Sequence, residues 1–116
     1  GEHYAGLFSN DDALAEQLVA AARDAGEPVW RQPLDPVHYE QISSEIADVM
    51  NAGSGRARAS LGAAFVGTFI QEDQTWAHFD IAGIDYAEEP VPTVPKGYSG
   101  YGVRMLDQYI RNAREQ

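Results

Sequence analysis

Residues 76–83 read Trp-Ala-His-Phe-Asp-Ile-Ala-Gly, and how this stretch folds decides the class of the whole chain. Trp76, Phe79 and Ile81 are large and apolar, Ala77, Ala82 and Gly83 are small, and His78 and Asp80 are polar residues two apart. Side chains alternate along a strand, so Trp76, His78, Asp80 and Ala82 share one face while Ala77, Phe79, Ile81 and Gly83 share the other. Apolar residues on both faces predict a strand buried on both faces, as in the central sheet of a layered α/β domain. His78 and Asp80 then need hydrogen-bond partners, because an unpaired buried polar group costs about 1–3 kcal/mol. The pair serves either structural wiring or chemistry.

Working outward, the bulk composition narrows the function classes. At 116 residues the chain is one domain or less. A hydrophobic content of 44%, with 10% aromatics, argues against disorder. The net charge of −10 comes from 18 acidic residues against eight basic ones, Lys96 being the sole lysine. No basic stripe exists to neutralise phosphates, which disfavours nucleic acid and anionic membrane surfaces as partners. Without cysteine there is no disulfide, thiolate nucleophile or Cys-based zinc site. No apolar run approaches the ~20 residues of a membrane span, and the N-terminus lacks the basic head and apolar segment of a signal peptide. A cytoplasmic location fits these features. The chain begins at Gly1 without an initiator Met, so a processed or truncated product is expected.

The elements alternate. Tyr4–Ser9 is a strand candidate, closed by the helix-start residues Asn10, Asp11 and Asp12. The following helix, about 11–25, places Leu14, Leu18, Ala21 and Ala22 on one stripe and Asp12, Glu16 and Arg23 opposite. Gly26 stops it. Residues 27–36 form a proline-bounded connector, and Asp35-Pro36 starts a short helix over about 36–44. Residues 46–53 suit a short strand or turn, broken by Asn51 and Gly53. Residues 56–71 predict a helix apolar nearly all round and therefore buried, with Leu61, Phe65 and Phe69 at successive turns. Gly62 and Gly67 each weaken it by ~1 kcal/mol relative to Ala, and close approach of a neighbouring backbone is the expected compensation. The glycine-rich start of this helix offers an anion site but lacks the Gly-Lys-Ser/Thr close of a phosphate loop. A loop with Pro90, Pro92 and Pro95 follows Gly83, a usual place for a binding site. The last helix, about 100–114, is expected to turn Val103, Leu106 and Ile110 inward and Arg104, Asp107, Gln108 and Arg111 outward. Strand and helix order predicts α/β layering, yet two or three strands cannot by themselves flank a strand buried on both sides.

At this point the motifs carry a resemblance. Residues 5–34 are similar to the Gly-Leu-hydrophobic-Ser/Ala-Asn … Ala-Gly-Glu … Trp-Arg-Leu-Pro-Leu stretch of the cytosolic leucyl aminopeptidases, ending here at Trp30, Arg31, Pro33 and Leu34. Ala47, Asp48, Asn51 and Gly53 match that family's Ala-Asp-x-x-Asn-x-Gly, and the small-residue helix resembles its Ala/Gly-rich helix. Residues 76–83 nearly repeat its Trp-Ala-His-Leu-Asp-Ile-Ala-Gly, and residues 95–106 resemble its Lys-Gly-x-Thr-Gly-x-x-Val-Arg-x-Leu. Each motif is weak alone. Five in order are specific.

The resemblance implies a single partial domain over 1–116, the C-terminal portion of a layered α/β/α aminopeptidase catalytic domain with few strands flanked by helices. It implies a partner in the N-terminal remainder of the enzyme, assembly into a hexamer, and peptide as substrate. In that family two divalent cations, zinc or manganese, are held by Asp, Glu and Lys side chains, with an Arg and a bicarbonate assisting. The diagnostic Asn-Thr-Asp-Ala-Glu-Gly-Arg motif lies upstream of the matched region and is absent from this sequence. The expectation is that this chain holds no metal, supplies no catalytic residue and alone hydrolyses no peptide. It is expected instead to line the pocket for the substrate's N-terminal side chain, with Ala82, Gly83 and Asp85 as substrate-binding positions. Many relatives carry a small or apolar residue where Asp85 stands. A carboxylate there would shift preference from leucine toward basic residues, unless it turns outward as a plain loop residue. The start of the 56–71 helix also reads one residue shorter than the family's.

The other candidates read as structural first. His78 and Asp80 resemble family residues that are hydrogen-bonded core wiring, with a metal pair as the rival reading. His3 and His38 have no ligand-spaced partners. Lys96 could act as an electrophile, but the family's active-site lysines lie upstream. Trp30 and Trp76 suit core or inter-subunit packing. Two function classes remain: a piece of a metal-dependent aminopeptidase, and a non-catalytic interaction module that kept the fold.

Overall fold

Strand β1 (Ala5–Ser9) is the centre of the molecule, and its residues Ala5, Leu7, Phe8 and Ser9 are buried. The structure is a computed structural model describing residues 1–115. After β1, Asp11 caps helix α1 (Asp12–Ala25) by accepting the Leu14 N–H at 2.7 Å, as the cluster of short polar residues predicts. At the other end Gly26 adopts φ 70°. Its N–H donates to the Arg23 carbonyl and that of Glu27 to the Ala22 carbonyl at 2.9 Å, closing a Schellman turn. Strand β2 (Val29–Arg31) then runs parallel to β1. Two short helices follow, α2 (Pro36–Glu40) and α3 (Arg58–Gly67).

Strand β3 (Ala77–Asp80) pairs antiparallel with β1, setting Leu7 opposite Phe79 and Phe8 opposite His78 in a sheet of order β2-β1-β3. Side chains fix that register. Ser9 Oγ donates to the Trp76 carbonyl at 2.7 Å, while the Asn10 amide donates to the Gln74 carbonyl and accepts the Trp76 N–H. A two-stranded ribbon of β4 (Tyr86–Ala87) and β5 (Gly97–Tyr98) precedes helix α4 (Val103–Arg114).

Leu7, Ala15, Leu18, Ala22 and Met105 form the main core, with Phe79, Ala77, Val29 and Tyr109 packed onto it. This joins α1 and α4 to one face of the sheet. The alternate residues Phe8 and His78 point to the other face, where α3 borders β1 and β3. A second cluster of Ile42, Leu61 and Ala64 holds α3 to the loops around α2.

The α/β class follows the sequence reading, but several elements differ from it. The Trp76–Gly83 stretch is not a central strand: β3 lies at the sheet edge, only half-buried, and β1 takes the centre. Residues 46–53 are the turn alternative, because Ser44 Oγ takes the Ile46 and Ala47 N–H groups and so competes with strand pairing. Helix α3 is buried at Ser60, Leu61, Ala63 and Ala64 but exposes Val66, and it ends before the exposed Phe69 that the sequence reading places within it. In α4, Met105 and Tyr109 face α1; the expected inner residues Val103, Leu106 and Ile110 are 70%, 47% and 57% exposed. The hydrophobic period was read correctly, but it carries two apolar stripes and α1 takes the narrower one. Strand β2 and the β4–β5 ribbon are not legible in the sequence, their runs being too short to show alternation.

Candidate substrate pocket

The segment after β3 is a tight turn wired by its own aspartates. Asp80 Oδ1 accepts the Ala82 N–H at 3.0 Å and Asp85 Oδ1 accepts the Gly83 N–H at 3.3 Å. The N–H groups of Ile84 and Asp85 both donate to the Ile81 carbonyl. Gly83 holds φ 94°, and a Cβ there would approach the Gly1 backbone to 3.1 Å, so glycine is required on both counts.

Beyond this turn lies a cavity of about 650 Å³. Gly83, Ile84 and Asp85 line it, together with Tyr86–Glu89 and with Glu27, Ser99, Tyr101 and Arg104. Glu2, Asp85, Glu88 and Glu89 give it a negative rim. The Arg104 guanidinium is taken up by Glu27, Nε to Oε1 at 3.2 Å. Ala82 faces a separate recess of about 430 Å³, with Gly6, Trp30, Ala59 and Asp80. The structure therefore brings Gly83 and Asp85 together in one cavity and sets Ala82 in another, with Glu2 and His3 lining both.

His78 and Asp80 do not form a metal pair with further ligands. Among the described residues no group of three or more His, Asp or Glu side chains is placed to hold a metal ion. Asp80 wires the turn; the His78 ring packs against Phe8 with centroids 5.9 Å apart. Burial lowers the His78 pKa below its usual value, against the opposing pull of Asp80. Lys96 is exposed in the loop before β5, outside the cavity. His38 is buried, and its Nδ1 accepts the Asp35 N–H at 2.9 Å at the start of α2. Trp76 packs over Gly67, and Trp30 stacks edge-on against Tyr4 at 6.0 Å. At the start of α3, a Cβ on Gly53 would meet Ile42 at 2.9 Å and one on Gly55 would strike the Gln41 side chain, so these glycines serve packing there.

Sequence reading missed Glu27 and Tyr101 in the cavity lining. Glu27, 3% exposed, accepts the Gly102 N–H at 2.8 Å and the Met105 N–H at 3.1 Å through Oε2. It caps α4 from 75 residues away in sequence. Tyr101 Oη donates to the Pro28 carbonyl at 2.9 Å and the Glu27 carbonyl at 3.2 Å. Burial and the Glu27 charge push the Tyr101 pKa up to about 12. One signal was available: Ser-Gly-Tyr-Gly before α4 offers no acidic or hydroxyl residue at the capping position Gly102, so the cap had to come from elsewhere.

Comparison with known proteins now decides the family. The catalytic domain of the cytosol aminopeptidase family matches residues 1–107. The chain belongs to the cytosol aminopeptidase family. It is 45% identical over 118 residues to the "Probable cytosol aminopeptidase" of Rickettsia bellii, covering 100% of this chain and 24% of that protein. It is 49% identical over 111 residues to the like-named protein of Chlorobium luteolum, covering 96% of this chain and 22% of that one. Among solved structures, bottromycin maturation enzyme BotP superposes with a TM-score of 0.94 at 34% identity, covering 100% of this chain and 26% of that one. BotP in complex with Mn gives 0.92 at 34% identity, covering 97% and 25%. The chain thus spans about a quarter of the cytosol aminopeptidases it matches. No helix among the described residues is long and apolar enough to cross a membrane.

Proposed function

We propose that this chain is the C-terminal part of the catalytic domain of a cytoplasmic, two-metal leucyl-type aminopeptidase that releases N-terminal amino acids from peptides. It supplies one wall of the substrate pocket and a packing surface. The N-terminal remainder holds both cations, and copies assemble into an oligomer. The observation that carries this reading is the family match over residues 1–107 in a chain that covers about a quarter of its relatives. Manganese in one structural neighbour supports the metal dependence of the whole enzyme. Two-metal hydrolysis needs several converging carboxylates, and the described residues offer no such group, so no step of the reaction is assigned to a metal on this chain.

What the chain's own residues do is bind and orient. Gly83 lets the turn pass close to the N-terminal backbone, Ala82 keeps its own recess open, and Asp85 presents a carboxylate to the larger cavity. The negative rim favours a substrate whose N-terminal side chain is basic. Hydrolysis of arginyl and leucyl amides by the parent enzyme, before and after Asp85→Ala, tests both levels. The arginyl-to-leucyl ratio of kcat/KM should fall about tenfold on mutation, the loss of one charged hydrogen-bond partner. An unchanged ratio sinks the Asp85 assignment. No hydrolysis of either amide by the parent sinks the aminopeptidase reading itself.

A further inference from the structure

Among the described residues Glu27 is the one buried carboxylate, and its surroundings link the core to the turn at Ala82–Asp85. Its side chain is 4% exposed and its two oxygens take three donors: the N–H groups of Gly102 and Met105, and Arg104 Nε. A helix N-terminus is ordinarily capped by its own preceding side chain; α4 starts at a glycine and borrows its cap from the Schellman turn that ends α1. The position of the first turn of α4 is therefore set by Glu27.

From there the connections run in one direction. Tyr101, anchored through Oη to the Glu27 and Pro28 carbonyls, donates its N–H to Ser99 Oγ at 3.2 Å. Ser99 Oγ in turn donates to the Ile84 carbonyl at 2.8 Å, and the Ser99 N–H donates to the Asp85 carbonyl at 2.8 Å. Gly100 and Gly102 hold φ 63° and 101°, which shapes the segment between these bonds. We infer that Glu27 is a positioning residue for the substrate wall, acting through α4, Tyr101 and Ser99 on Ile84 and Asp85. This rests on the proposal that the turn lines the substrate pocket.

The experiment uses the whole aminopeptidase, with E27Q and S99A variants. Hydrogen–deuterium exchange is read on the peptides 80–87 and 99–106, alongside kcat and KM for arginyl and leucyl amides. E27Q should raise exchange across both peptides; S99A should raise it in 80–87 and, within 99–106, only at the Tyr101 amide, which loses its Ser99 Oγ acceptor. Both should raise KM for the arginyl amide about tenfold with a smaller change in kcat on the same amide, a split that general destabilisation does not produce. Faster exchange of 99–106 in E27Q, with 80–87 and KM unmoved, overturns the inference. Should E27Q fail to fold, S99A decides: unchanged exchange of 80–87 overturns it equally. Exchange that spreads as expected with no movement of either KM upholds the coupling and sinks the pocket-wall reading instead.

Discussion

Tyr101 and Glu27 sit where the end of one helix meets the start of another, and their chemistry makes that junction sensitive to alkali. The single Tyr101 O–H is shared between two backbone carbonyls, a contact its anion cannot make, and burial with the nearby Glu27 charge pushes its pKa from 10.0 up to about 12. Between those values the unfolded chain loses the phenolic proton while the folded one keeps it. Stability from this group is therefore fully present below pH 10 and is lost as pH rises toward 12. Tyrosinate absorbance should show a late step that Tyr101→Phe removes, and the unfolding midpoint of Tyr101→Phe should fall less steeply over that range. A wild-type titration unchanged by the substitution contradicts the assignment. At this scale, what could be read from sequence was local. Asp11 and Gly26 act on neighbours three to four residues away and were identified; Glu27 acts on Gly102, and nothing in its own surroundings announces that partner.

Helix α3 shows what an element reveals and withholds. The two glycines read alike in sequence, as positions of close approach. A Cβ on Gly67 would sit 2.5 Å from the Tyr39 hydroxyl and 2.8 Å from the Trp76 ring, whereas one on Gly62 meets nothing within 4 Å. Only Gly67 is explained by close approach within this chain, and its neighbours are side chains, not a backbone. Gly67→Ala should cost about 1–3 kcal/mol by overpacking, while Gly62→Ala should gain up to ~1 kcal/mol of helix propensity. Thermal midpoints of the two variants, moving in opposite directions, check this; Gly67→Ala at or above wild type contradicts it. The same split runs through the other elements. Amphipathic periodicity gave the limits of α1 and α4, but which of the two apolar stripes of α4 faces α1 depends on packing partners that periodicity does not specify. Strand β3 was correctly identified as a strand. Its place at the edge was not, because a run apolar on both faces records the surroundings for which it is built.

Those surroundings are the subject at the scale of the whole molecule. The radius of gyration is 15.6 Å, against about 13 Å for a compact domain of this length, and the molecule is a slab of 49 × 38 × 17 Å. Val103, Leu106 and Ile110 on α4, Val66 near the end of α3, Phe69 just beyond it, and the outer edge of β3 all lie on its surface. A sequence patterned for burial and a structure that exposes those same residues agree if further polypeptide covers them, and the cytosol aminopeptidases it matches are about four times as long as this chain. The turn at Ala82–Asp85 lines two recesses, and among the described residues no group of three or more is placed to hold a metal ion, so the proposed chemistry is legible in this sequence only through family motifs. The most direct test is the mass and composition of the species in which this chain occurs, measured by size-exclusion chromatography of material from its natural source with mass spectrometry and metal analysis. The account predicts that these residues elute in an assembly far above 12.7 kDa, together with a metal-bearing aminopeptidase portion. A metal-free 12.7 kDa monomer that hydrolyses no amino-acid amide would contradict it and establish the chain as a non-catalytic module.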